Sequence, residues 1–335
     1  MSNLNVHGII NKALDGQLIS GEEIAQLFSL PLFSEESFLV QCASRKMSES
    51  ANEGYAEIHG QVGLNLAPCP KNCAFCSFAA SNGIFKEHKV APLEEIVEKC
   101  LAFEKAGANA VYLMATANFP FENFIRVGKA VRSNLQPETI MVANIGDFDY
   151  EQAVLLKEAG FSGVYHALRL GEGMVTAIKQ EMRLKTFRAA RDAGLLLGTC
   201  VEPVGPEHSV AELVEKTLIT REAQPCYSGA ARRIPIPNTQ LSKYGIVSEA
   251  KMAHILAVVR LAMGYSVPGN CTHEPNVLGA SAGANLIWAE MGSNPRDTEQ
   301  ETSVSRGFTV EKCKQIFAEA EWKILSGPSK IFSKK

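Results

Sequence analysis

Cys69, Cys73 and Cys76 stand in the segment APCPKNCAFCSF as a CxxxCxxC triplet, the one tight group among nine cysteines. A structural zinc site draws four protein ligands, usually as two close pairs, and no partner pair accompanies these three. An iron–sulfur cubane suits them better, because three thiolates hold three irons and leave the fourth open to an exogenous ligand. An open iron serves a cluster that acts on a bound molecule rather than one that only carries electrons. Nine cysteines in 335 residues are too sparse, and the wrong parity, for a disulfide scaffold. Cys200, Cys226 and Cys271 stand singly; Cys42, Cys100 and Cys313 fall in stretches of helical period and read as packing residues.

A second concentration of polar residues lies further on. SGAARRIPIP offers Arg232 and Arg233, CTHEPN offers His273, Glu274 and Asn276, and AEMGSNPRD offers Glu290, Asn294, Arg296 and Asp297. Paired guanidinium forks suit a carboxylate or phosphate. Arg232, Arg233 and Glu274 are therefore the substrate-contact candidates, and the expected substrate is small or carrier-bound and bears a carboxylate.

These groups need elements to hold them. Short apolar runs at 58–67, 110–117, 139–146, 163–170, 195–202, 229–236, 265–270 and 285–291 read as strands, and amphipathic stretches of helical period lie between them. Arg232, Arg233 and Pro235 make 229–236 the least regular of the eight. Alternation of this kind implies parallel strands joined by helical crossovers. Eight strands predict the α/β class as a (β/α)8 TIM-type barrel over 53–335, with catalytic loops after the strands. Residues 1–52 form an N-terminal helical extension with two helices between 18 and 50, Ser20 and Glu23 making a capping box. FTVEKCKQIFAEAEWKIL, near the end, reads as one closing helix.

The balance of 33 Lys plus Arg against 36 Asp plus Glu gives a net charge of −3, which leaves no cationic excess for nucleic acid or an anionic membrane. Hydrophobic residues make up 46%, ample for a core. No apolar run approaches membrane-spanning length and no leader pattern opens the sequence, so the expected location is the cytoplasm.

The triplet, with Phe75 before its last cysteine and Ser77 and Phe78 after it, resembles the signature of radical S-adenosylmethionine (SAM) enzymes. Over nearly the whole chain the likeness is to the biotin synthase-like branch, which includes biotin and alternative lipoyl synthases, hydrogenase maturases and methylornithine synthase. The resemblance implies a 4Fe–4S cluster on Cys69, Cys73 and Cys76 that chelates SAM and cleaves it reductively, with a low-potential donor of the flavodoxin or ferredoxin type. It also implies SAM contacts from Thr116, Ala117 and Asn118, a ribose contact from Asn144, an acidic contact from Glu172, a carboxylate partner in Arg183 steadied by Glu181, and an adenine contact from Val204.

The match has departures. Strand four reads VYHALRL, and YLMA and MVAN on strands two and three carry no cysteine, so the sulfur-donating cluster of standard biotin synthase has no ligands at its usual places. Cys200, Cys226 and Cys271 are candidates for an auxiliary cluster across the mouth, although lone cysteines also fill cores. The expected reaction is sulfur insertion of the biotin or lipoyl synthase type. The alternatives are a single-cluster maturase- or mutase-type rearrangement and, in another class, a non-catalytic iron–sulfur protein.

Overall fold

The computed structural model describes residues 5–66 and 68–333. Eight parallel strands close on themselves: β1 (Tyr55–Gly63), β2 (Ala110–Met114), β3 (Ile140–Asn144), β4 (Gly163–Tyr165), β5 (Leu196–Gly198), β6 (Tyr227–Arg232), β7 (Gly269–Cys271) and β8 (Leu286–Gly292). Closure runs through β8 against β1, with Glu57 level with Leu286 and Gly63 with Gly292. Three N-terminal helices, α1 (Val6–Leu14), α2 (Gly21–Phe28) and α3 (Glu35–Ala51), precede the barrel. The crossovers are α4 (Leu93–Ala106), α5 (Phe121–Asn134), α6 (Tyr150–Glu158), α7 (Gln180–Asp192), α8 (Val210–Glu222), α9 (Glu249–Met263) and α10 (Val277–Ser281), and α11 (Val310–Glu319) follows β8. The (β/α)8 barrel expected from the sequence is thus present. No helix among the described residues is long and apolar enough to cross a membrane.

Local chemistry explains the boundaries. The Ser20 hydroxyl accepts from the Glu23 N–H at 3.2 Å while the Glu23 carboxylate accepts from the Ser20 N–H at 2.6 Å, the capping box that starts α2. Gly107 ends α4 at φ +87, a left-handed conformation that spares only glycine a steric cost. The irregular stretch 229–236 is a barrel strand after all, displaced to Tyr227–Arg232, because its two arginines lie at the strand end, where side chains leave the wall.

Two expectations need correction. The N-terminal region has three helices rather than two; Val6, Ile9 and Ile10 of α1 pack with α2, α3 and α9 residues such as Ile255 and Val258 in one apolar cluster. The closing helix is shorter than 308–325. It stops at Glu319, Lys323–Ile324 pairs with the start of β1, and the chain then turns under the barrel, where Ile331 and Phe332 pack against Tyr112, Tyr227 and Trp288. These two residues close the end of the barrel away from the catalytic loops.

Candidate active site

The loop after β1 carries Cys69, Cys73 and Cys76, and backbone bonds on all sides fix it. The Cys69 N–H donates to the Phe78 carbonyl at 2.7 Å, and Ala80 N–H donates back to the Cys69 carbonyl at 3.0 Å. The Asn82 amide donates to the Cys73 and Cys76 carbonyls at 3.3 and 2.8 Å. Neighbouring loops clamp it through Ala74 N–H to Val175, Ala177 N–H to Lys71 and Ser77 N–H to Pro295. Burial raises the Cys73 thiol above its ordinary value, and burial together with Cys73 pushes Cys76 up to about 12. Such thiols ionise when a cation shares their charge, as cluster irons do.

The spread of the three thiols fits a cluster better than one ion. Tetrahedral Zn–S bonds near 2.3 Å would put the sulfurs about 3.8 Å apart. Among the described residues, the group that brings three His, Cys, Asp or Glu ligand atoms within 4.8 Å of one another is Cys200, Cys271 and His273, not the loop triplet.

All three loop cysteines line a cavity at the C-terminal mouth of the barrel, about 1230 Å³ with its opening included. Thr116, Ala117, Asn144, Arg183, Arg232 and Arg233 share it. Thr116 is fixed by Asn65, whose amide donates to its hydroxyl at 2.8 Å while its backbone N–H donates to Asn65 Oδ1 at 3.0 Å. Asn144 donates to Gln61 Oε1 at 3.2 Å. The Arg183 guanidinium lies 3.4 Å from Glu172, 3.3 Å from Asp147 and 2.8 Å from His166 Nε2. That nitrogen is also 2.9 Å from Asp147; carrying a proton it can donate to Asp147, and bare it can accept from Arg183, so one proton couples the three groups. Burial and then Arg183 hold His166 down to about 4, leaving it neutral at pH 7. Asp147 is held down to about 2: burial opposes its charge, but the His166 hydrogen bond and Arg183 outweigh it.

Several expected contacts lie elsewhere. Asn118 lines a separate groove with His88 and Arg126. Glu172 is buried behind Arg183, accepting from the Thr176 hydroxyl at 2.7 Å and from the Arg169 N–H at 3.1 Å. Glu181 is exposed; the acidic partners of Arg183 are Glu172 and Asp147. Val204 sits in the apolar cluster beneath α8 and α9, because Val201–Val204 pairs with β6 and presents Glu202 and Pro203 to the cavity instead. Glu274 bonds to Arg306 at 2.5 Å rather than lining the cavity. Arg233 pairs with Glu207 at 2.8 Å, and Arg232 with Glu249 at 3.2 Å.

The three candidate auxiliary cysteines lie at two levels of the barrel. Cys271 ends β7 level with Gly229, whereas Cys226 precedes β6 and its carbonyl accepts from Gly269 at the start of β7. Three residues of strand separate the two levels, about 10 Å. Cys200 follows β5, and its sulfur lies 2.7 Å from that of Cys271. Gly229 permits this packing: a Cβ there would fall 2.0 Å from the Cys271 carbonyl oxygen, and its φ is +143.

Sequence reasoning missed Asp147, His166 and Arg169. Arg169 lines the cavity with Glu202 3.6 Å away; burial disfavours its charge, but Glu202 and Glu172 hold it above its ordinary value. The signal was present in VANIGDFD and VYHALRL, each with polar residues at or just past a strand end.

Residues 68–218 match the model of the radical SAM superfamily. The chain is 25% identical over 325 residues to a biotin synthase of Geobacter metallireducens, covering 90% of this chain and 98% of that one. Among solved structures, methylornithine synthase (PylB) superposes with a TM-score of 0.77 at 16% identity, over 96% of this chain and 98% of that one. The FeFe-hydrogenase maturase HydG from Carboxydothermus hydrogenoformans does so with a TM-score of 0.77 at 18% identity, over 95% and 78%. At these identities the structural likeness establishes the shared barrel. The chain thus carries at 68–218 a match to the radical SAM superfamily model, around the thiol loop, and is similar over most of its length to curated biotin synthases.

Proposed function

We propose that the chain holds a 4Fe–4S cluster on Cys69, Cys73 and Cys76 with SAM beside it, and acts on a small carboxylate-bearing molecule in the biosynthesis of a cofactor. When bound, these groups supply the reductive cleavage of SAM to methionine and a 5′-deoxyadenosyl radical able to remove a hydrogen atom. The observation that carries the reading is one continuous cavity that joins the three thiols to Arg183 on one side and to Arg232, Arg233 and Arg296 on the other. A pure electron carrier needs no such enclosure. Arg183 offers its fork to the SAM carboxylate, Thr116 and Ala117 stand beside it for the amino group, and Asn144 for the ribose. The remaining arginines orient the substrate carboxylate, and a flavodoxin- or ferredoxin-type protein supplies the electron.

Sulfur insertion is the preferred reaction, supported by the biotin synthase relatives that span 90% of the chain and by the thiol pair Cys200 and Cys271. The placement of Cys226 favours a second reading, a single-cluster rearrangement, because it leaves two rather than three cysteines near the mouth. The test is anaerobic reconstitution followed by assay of reductant-dependent 5′-deoxyadenosine, with iron and sulfide counted per chain. The proposal expects 5′-deoxyadenosine from the native chain and none from the Cys69/Cys73/Cys76 triple Ala variant; equal yields would overturn it. About four irons and four sulfides per chain indicate the rearrangement, and iron and sulfide in excess of that indicate sulfur insertion.

A further inference from the structure

Beneath the cavity, the ends of β5 and β7 bring together three buried side chains, two of which, Cys200 and Cys271, the sulfur-insertion reading also draws on. Cys200 and Cys271 are both 0% exposed with sulfurs 2.7 Å apart, so they must part by about 1 Å to reach the roughly 3.8 Å of two thiolates on one tetrahedral ion, and one ligand atom each from Cys200, Cys271 and His273 falls within 4.8 Å of the others. His273 is 7% exposed and lines the cavity floor. Its ring stacks on Trp288 with centroids 4.4 Å apart and planes 14° from parallel, which fixes its orientation. Its Nε2 is buried and has no hydrogen-bond partner.

A histidine with a buried, unpartnered ring nitrogen and a ligand atom within 4.8 Å of two thiols is an incomplete site. A disulfide would join the sulfurs and leave the histidine unpaired. A thiophilic cation would satisfy all three. We propose that Cys200, Cys271 and His273 form a mononuclear site for a borderline-soft divalent cation such as zinc, with its fourth position directed past His273 into the cavity. Two thiolates and one imidazole with an open fourth position is a zinc arrangement that admits an exogenous ligand. That fourth position takes water or a donor atom presented from the cavity. The site shares no residue with the loop cysteines, so it can be tested apart from SAM cleavage, and a cation here stands in place of the auxiliary iron that sulfur insertion would need.

The test uses the full chain carrying Cys69, Cys73 and Cys76 all changed to Ala, prepared anaerobically under reductant and stripped with chelator. Cobalt(II) serves as the probe. One equivalent should bind per chain with a thiolate-to-cobalt charge-transfer band and the intense visible bands of tetrahedral cobalt, and zinc should displace it. Adding C200S or C271S should abolish the charge-transfer band, and His273→Ala should weaken cobalt binding at least tenfold. A second measurement needs no change at the site: stoichiometric zinc should protect Cys200 and Cys271, but not Cys42, from alkylation in gently loosened protein. Absence of cobalt uptake, bands unchanged by C200S and C271S, equal alkylation with and without zinc, or a Cys200–Cys271 disulfide in the reduced preparation would each overturn the proposal.

Discussion

Arg183 shows how one residue here depends on its neighbours. It is 3% exposed, and its charge is offset by Glu172 and Asp147 before any ligand arrives. A guanidinium braced in this way presents its remaining N–H groups in a fixed direction. Arg183→Ala should weaken SAM binding ten- to hundredfold, the loss of one charge-assisted partner worth on the order of 1.5–3 kcal/mol. It should also raise the His166 pKa from about 4, because Arg183 is among the groups holding it down. Equilibrium binding of SAM to reconstituted protein checks the first expectation, and imidazole NMR shifts against pH check the second. Unchanged SAM affinity would confine Arg183 to its internal network. The arginine was legible in the sequence, but its true partners were not: Glu181 is near in sequence, whereas Asp147 and Glu172 approach through tertiary contacts.

At the scale of elements, all eight strands and their order were legible, because apolar runs and helical periods alternate regularly along 53–335. What the pattern does not contain is register and the end of the barrel that each residue occupies. Cys226 therefore reads as a neighbour of Cys271 although it begins its strand while Cys271 ends one, and Val204 reads as a cavity residue until its pairing with β6 turns it inward. The N-terminal helices show a related limit, since besides the apolar cluster a buried histidine ties α2 and α3 to α9 through contacts that only the fold brings together. His254 of α9 is 0% exposed, its Nδ1 lies 2.8 Å from the Ser37 hydroxyl, and its Nε2 is 2.9 Å from the Leu27 carbonyl. A neutral ring with the proton on Nε2 satisfies both contacts. Burial lowers its pKa to about 4. Above about 6.5 the ring is neutral in both folded and unfolded chains; between 6.5 and 4 the unfolded chain takes up a proton that the folded one refuses. Stability should therefore fall as pH drops through that window, with a contribution from His254 on the order of 3 kcal/mol. His166 acts in the same window, so the informative quantity is a difference. Denaturant unfolding of the native chain and of His254→Gln, followed from pH 7 to 4, should differ in pH slope by about one proton. Parallel slopes would mean that His254 titrates as it does in the unfolded chain.

At the scale of the whole molecule, the end of the barrel away from the cavity is filled by residues that follow the last helix. Ile331 and Phe332 occupy the base among Tyr112, Tyr227 and Trp288, and Gly163 gives Phe332 room, since a Cβ there would fall 2.4 Å from its ring. The latch is Glu57, fully buried at the start of β1. Its carboxylate accepts from the Ser329 hydroxyl at 2.5 Å, the Lys330 N–H at 2.9 Å, the Ile331 N–H at 3.1 Å and His59 Nε2 at 3.0 Å. Burial alone would disfavour the charge, but the His59 and Ser329 contacts outweigh it and hold the carboxyl below its ordinary value. A carboxylate satisfied by these four donors, with the Asn52 amide a fifth at 3.5 Å, is stable; with the three tail donors removed it is a buried charge left with His59 and the long Asn52 contact. Stopping the chain after Gly327 should thus destabilise it by about 4 kcal/mol or more, from lost apolar burial and the stranded anion together. Glu57→Gln in the full chain should also destabilise, since the amide accepts less strongly and adds donors where donors already point. In the shortened chain the same substitution should be neutral or stabilising, because it removes the stranded charge. Denaturant midpoints of the four proteins form a cycle, and the coupling should reach about 1.5–3 kcal/mol. Additive effects would mean that Glu57 is held by His59 and Asn52 alone and that the tail closes the barrel only by packing.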